Sequence, residues 1–201
     1  MGAPITGFVA ATNTNRTIPD WIATGSYQPR PSVTTYANAM DVGAPSNYER
    51  IAALYSLDEV RKFFASYWLD DAGIMASIKD CHLKTGYTID PHGAVGWKAW
   101  SDIKNGAMAE LKAGKKHDYN TPGLTPNLPE WADDVVSKRN AIGVILETAH
   151  PAKFGQIVEK AIGSKPLIPE RLEKVMRLED KAIPMENDYS LFKSWLLENL
   201  K

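Results

Sequence analysis

Cysteine is almost absent from this 201-residue sequence: the one residue, Cys81, excludes an internal disulfide and a multi-cysteine metal centre. A lone thiol fits a reducing compartment, and the cytoplasm is the expected location. No apolar run approaches the roughly 18 residues of a membrane span, and the start lacks the basic and long apolar regions of a secretory signal. An excess of one charge sign is missing too. The 23 Lys and Arg against 24 Asp and Glu leave a net charge of −1, so no clustered basic surface is available to displace counterions from nucleic acid. There is no P-loop, G-x-S-x-G or dinucleotide fingerprint. The four histidines, His82, His92, His117 and His150, share no metal-ligand spacing, so no metal site is expected. What remains is 44% hydrophobic and 23% charged, the composition of a folded domain rather than a disordered chain.

The pattern along the chain is that of an α/β protein with few strands and many helices. Ile5 to Thr12 is a short, partly β-branched apolar run bounded by Gly, Pro and Asn, and reads as a buried strand. Such a strand in a parallel sheet takes partners on both sides, so the chain is expected to begin partway through a larger unit. Helices are expected over Ile18–Ala23, from Ser46, from Leu57 to about Tyr67, and over Asp71–Leu83. Ser46 with Glu49, and Ser56 with Glu59, have capping-box spacing. Tyr87–Asp90 reads as an extended piece, and Pro91 opens a small-residue helix. The stretch 105–130 shifts to Gly, Lys, Asn and Pro and reads as a partly helical surface insertion containing the Lys112–Lys116 cluster. Ala141–Leu146 reads as the clearest strand, buried on both faces, and Pro151 as the start of a helix to about Ile162. Two amphipathic segments, Pro169–Arg177 and Tyr189–Leu200, form the tail.

Polar residues collect at the element ends. Thr148 follows the apolar run and precedes a helix, where a hydroxyl could hold a ring nitrogen or a phosphate, or simply cap the helix. Asp90 and His92 flank Pro91 at a second junction, where they could orient a substrate amine or move a proton, or where Asp90 could be a plain cap. Asn13, Asn15, Asn38, Asp41 and Asn47 are either turn formers or the wall of a polar anion site.

Four of these strings together resemble threonine synthase. They are Phe8-Val9-Ala10-Ala11-Thr12-Asn13-Thr14-Asn15; Ala39-Met40-Asp41-Val42 with Pro45-Ser46-Asn47-Tyr48-Glu49-Arg50; Tyr87 to Ala94 around Asp90-Pro91-His92; and Glu147-Thr148-Ala149-His150-Pro151-Ala152-Lys153-Phe154. They stand in the family's order and cover the chain to about residue 163. The resemblance implies part of a pyridoxal-phosphate enzyme of the tryptophan-synthase-β-like fold (fold type II). That enzyme converts O-phospho-L-homoserine and water to L-threonine and phosphate by β,γ-replacement. It implies that Thr148 holds the pyridine nitrogen of pyridoxal 5'-phosphate, and that Asn13, Asn38, Asp41, Asn47, Asp90 and His92 line the pocket. The family's Schiff-base lysine and phosphate loop match nothing here and are expected upstream, so no catalytic residue is carried over. Residues 1–163 would then be the C-terminal portion of the catalytic domain and 164–201 a helical tail. The 201 residues alone are expected to be inactive, with an N-terminal half or self-association covering a sheet cut through its middle. Arg16 and Gly93 depart from the residues common in the family, Asp and Thr. A threonine-synthase-like phospholyase, a serine or threonine dehydratase, and a non-catalytic scaffold relative remain as alternatives.

Overall fold

The structure is a computed structural model that describes residues 4–114, 118, 120–127, 129–137, 141–179 and 181–200. Lys115, Lys116 and His117 of the basic cluster lie outside the described residues. The chain divides into two compact units, one up to Pro166 and one from Leu167 onward.

The first unit is built on a small mixed sheet of order β1-β2-β3. β1 (Phe8–Thr12) runs parallel to β2 (Phe64–Trp68), with Ala10 opposite Ser66, and β3 (Gly123–Leu124) is antiparallel to β2. Alternation along the strands sends side chains into two layers. Val9, Ala11, Ala65 and Tyr67 enter a large core with Ile74, Ile78, Val95 and Ile103 from α4 (Asp71–Thr85) and α5 (Pro91–Lys104). Ala10 and Phe64 join a smaller cluster with Trp21, Ile22 and Val60 from α1 (Thr17–Thr24) and α3 (Leu57–Phe63). Tyr67 ends in the larger core by donating its hydroxyl to Asp102 Oδ2 at 2.6 Å. Burial first, then that carboxylate, push the phenol well above its usual range.

Three expectations change. β1 is half-buried rather than buried, and among the described residues it is paired on one side only, by β2. The segment expected as one helix to Tyr67 stops at Phe63, and Phe64–Trp68 continues directly as the central strand. Its aromatic residues suit a pleated surface with layers on both faces. Ala141–Leu146 is not a strand: it is extended without ladder hydrogen bonds among the described residues. Gly143 and Ile145 turn inward onto α5, where a Cβ on Gly143 would stand 2.3 Å from Trp100 and Ile145 touches Gly96. Ile142, Val144 and Leu146 point away and are 89, 82 and 80% exposed. An apolar run becomes a strand only beside another strand, and the described residues supply none here.

Within 105–130, Met108 of α6 (Ala107–Lys112), Leu124 and Thr125 are buried, and Trp131 Nε1 donates to Phe63 O at 2.8 Å. This stretch is therefore partly built into the core. The remaining helices of the unit are α2 (Asn47–Leu54), α7 (Ala132–Ser137) and α8 (Gly155–Ile162), the last entered through a 3-10 turn, Pro151–Phe154. The second unit contains α9 (Glu170–Met176) and α10 (Tyr189–Asn199), whose first turn is capped by Asp188. Among the described residues no helix is long and apolar enough to cross a membrane.

Candidate active site

The first group of expected site residues closes on itself. Asn13, 0% exposed at the end of β1, donates from Nδ2 to Thr35 Oγ1 (2.7 Å), Ala37 O (3.1 Å) and Asp41 Oδ1 (2.8 Å). Its Oδ1 accepts from the backbone and side chain of Asn15. Asp41 collects further donors from Asn15 Nδ2, Thr35 Oγ1 and Thr35 N. Asn13 is wholly enclosed by these partners and Asp41 is half-buried, so the two clamp the 33–41 loop to the strand end. Beside it, a cleft of about 480 Å³ opens between β1, α1, the Asn38–Met40 turn and the start of α2. Thr12, Asn15, Ala39, Met40, Ser46 and Asn47 are among its lining residues. Asn47 thus faces open space, while Asn38 is exposed on the turn.

The second group forms where α5 begins. Asp90 caps that helix, Oδ1 accepting from His92 N at 2.7 Å. The same oxygen meets His92 Nδ1 at 2.6 Å, and His92 Nε2 accepts from Ala39 N at 3.0 Å. These partners assign the neutral tautomer with the proton on Nδ1. His92 also packs edge-on against Phe154, ring centroids 5.0 Å apart. With both ring nitrogens occupied and the ring buried, His92 ties the Asn38–Met40 turn to α5 and has no lone pair left for a metal.

A residue not foreseen as part of the site completes this group. Glu147 Oε1 accepts from Asp90 N at 3.2 Å, and its Oε2 stands 2.4 Å from where a Cβ on Gly93 would be. Glycine at 93 is what leaves room for the carboxyl. Glu147 is exposed as a residue, but desolvation of its carboxyl where it lies over α5, and then the Asp90 carboxylate beside it, push that carboxyl up to about 8, against the pull of the Asp90 amide. Burial would raise Asp90 as well, but hydrogen bonds from His92 and the Glu147 side chain outweigh it and hold Asp90 below the usual carboxylate range. The buried Asp90 Oδ2 finds no donor unless Glu147 carries a proton. The sequence signal for Glu147 was slight: an acid closing an apolar run, 57 residues from its partner.

Thr148 follows directly. It is exposed, and its hydroxyl has no hydrogen-bond partner among the described residues. On its far side Pro151 is buried and His150 Nδ1 accepts from Ala152 N at 3.1 Å, so the chain is pinned on both flanks of a free hydroxyl. Such a hydroxyl fits the requirement of a pyridine nitrogen, one short polar group held at a fixed place.

The family model "Threonine synthase, C-terminal" matches residues 126–195. Threonine synthase of Haemophilus influenzae is 30% identical over 200 residues, 99% of this chain and 39% of that protein. Threonine synthase of Escherichia coli is 30% identical over 177 residues, 86% of this chain and 32% of that protein. The chain thus spans about two-fifths of the length of the curated relatives it matches. The crystal structure of Escherichia coli threonine synthase superposes with a TM-score of 0.70 at 26% identity, over 98% of this chain and 38% of that one. The PLP-bound threonine synthase of Brucella melitensis shares the fold, with a TM-score of 0.66 at 24% identity over 98% of this chain and 41% of that one. Four strings in family order, a family model over residues 126–195 and relatives that match nearly the whole chain lead to one conclusion: the chain resembles the C-terminal portion of threonine synthases and shares their α/β fold.

Proposed function

We propose that the protein to which this chain contributes converts O-phospho-L-homoserine and water to L-threonine and phosphate in the cytoplasm, with pyridoxal 5'-phosphate, and that Thr148 holds the pyridine nitrogen of that cofactor. When bound, the cofactor supplies an electron sink for proton removal and loss of phosphate. This chain's part is positional. Thr148 presents a hydroxyl to the ring nitrogen; the Asp90–His92 pair holds the Asn38–Met40 turn at the cleft; and Asn47 lines that cleft. Residues 1–163 act as the later part of the catalytic domain and 164–201 as its helical tail. The Schiff-base lysine and phosphate loop belong to the remaining length of the relatives, so the 201 residues alone release no phosphate from phosphohomoserine.

The observation that carries this reading is the Thr148 hydroxyl, exposed and without a partner among the described residues, between two pinned neighbours. The test is Thr148→Val in the full-length enzyme. Loss of one hydrogen bond to a group of changing charge, about 1.5–3 kcal/mol, lowers phosphate release by roughly ten- to a hundredfold and shifts the cofactor absorbance. Unchanged activity and spectrum would remove the role from Thr148. Threonine as the product supports the synthase reading, whereas a keto acid would move the protein to a phospholyase.

A further inference from the structure

We infer that Glu147 is a positioning residue for Thr148: its carboxyl, seated on the first turn of α5 against Asp90, fixes the backbone at 147–148 and so the place of the Thr148 hydroxyl. The inference rests on the reading of Thr148 given above. Three observations lead to it. The segment from Ala141 to Thr148 has no ladder hydrogen bonds among the described residues, so it is held by side chains alone. Of those, Gly143 and Ile145 pack against Trp100 and Gly96, several residues away from Thr148. Next to Thr148 the tether is Glu147, which receives the Asp90 amide and lies over Gly93.

The contact is a carboxyl against a carboxyl, and two anions at this separation repel. A proton on Glu147 resolves the conflict, because it can be donated to the fully buried Asp90 Oδ2, which is otherwise without a donor. Among the described residues, the other ionisable groups that act on the pair are Tyr87 of the preceding stretch, Cys81 of α4, and His92 behind Asp90. His82 of α4 is turned to Thr88, and His150 accepts the Ala152 amide. None of these is a fixed cation that would hold Glu147 as an anion. Above its titration the two carboxylates separate, and the tether beside Thr148 opens.

The full 201-residue chain, labelled with ¹³C and ¹⁵N, tests this without cofactor. The Glu147 carboxyl carbon and the Thr148 amide are followed by NMR between about pH 5 and pH 10. The carboxyl is expected to titrate near 8, with the Thr148 amide moving at the same midpoint. In Glu147→Gln, whose amide can donate as the neutral acid does, Thr148 keeps its low-pH position throughout. In Glu147→Ala it leaves that position at every pH. Gly93→Ala, which drives the carboxyl off α5 without removing it, moves Thr148 in the same way. Titration of Glu147 near the ordinary 4.5, or a Thr148 amide indifferent to both pH and Glu147→Ala, overturns the inference. These signals do not depend on the spectrum of the Thr148→Val enzyme, so failure of the tether and failure of the cofactor role are read separately.

Discussion

Two regions of this molecule use the same residue types to opposite ends. At the end of β1, Asn13, Asn15, Thr35 and Asp41 hydrogen-bond to one another, with Asn13, Asn15 and Thr35 buried and Asp41 half-buried. At the start of α5, Asp90, His92 and Glu147 leave one buried carboxylate oxygen waiting for a proton and hand the next residue, Thr148, to the outside with an unused hydroxyl. Composition alone would call both regions polar pockets. The difference lies in whether each donor and acceptor has already been claimed, and that makes the first a clamp and the second a candidate for chemistry.

The largest effect expected from breaking this contrast is at Asn13. Asn13→Ala removes two donors and an acceptor, and leaves the buried Thr35 and the half-buried Asp41 short of a partner. With about 1–3 kcal/mol per stranded buried group, a loss of about 3 kcal/mol in urea denaturation is expected. A loss under about 1 kcal/mol would mean that the network faces solvent or a ligand after all. Asp90→Asn comes next. The amide oxygen still accepts from His92, while the amide nitrogen can donate to Glu147, so the cost is limited to the charge on the His92 bond, about 1 kcal/mol. The same change should return Glu147 toward the usual carboxylate range.

A pH series separates the two carboxyls. Glu147 is raised in the folded state, so its contribution to stability is complete below the ordinary 4.5 and is lost as pH climbs through about 8. Asp90 is lowered, so its contribution is present above the ordinary 3.8 and is lost only as pH falls below that. The decline in melting temperature between pH 4.5 and 8 therefore includes a part belonging to Glu147, and Glu147→Gln should flatten it. An identical decline in the variant would show that the carboxyl is solvated and ordinary.

What could be read in advance follows the range of the forces involved. Pro91 behind a capping Asp90, and the Ser56–Glu59 box, are local devices and form as their spacing predicts. Ser46–Glu49 has the same spacing but no box, because Ser46 is already helical (φ −67°, ψ −17°) and its hydroxyl is not turned back to the helix end. The change from α3 to β2 at Phe64 was hidden: Val60, Phe63, Phe64 and Tyr67 satisfy a helical period, and only the neighbours β1 and β3 make the last two strand residues. The site divides in the same way. Thr148, Asp90 and His92 stand out as polar residues at element ends. Glu147 could not, since its meaning comes from a carboxyl 57 positions earlier and from a missing side chain at Gly93. The closure of the Asn13 network was equally invisible, because Asn13, Asn15 and Asp41, which face one another, look in sequence like Asn38 and Asn47, which do not join them.

The smallest effect sharpens the comparison along one segment. Between Ala141 and Leu146 the chain alternates, with Ile145 against Gly96 and Val144 82% exposed. Ile145→Ala should cost on the order of 1 kcal/mol by uncovering that contact, whereas Val144→Thr should stay within about 0.5 kcal/mol, since it removes no buried surface. Measured side by side in the 201-residue chain, unequal costs mean that one face of the segment is packed and the other open. Equal costs would mean that the outward face of Ile142, Val144 and Leu146 is covered in solution. The segment leading to Thr148 would then be held from both sides, and Glu147 would no longer be its main tether.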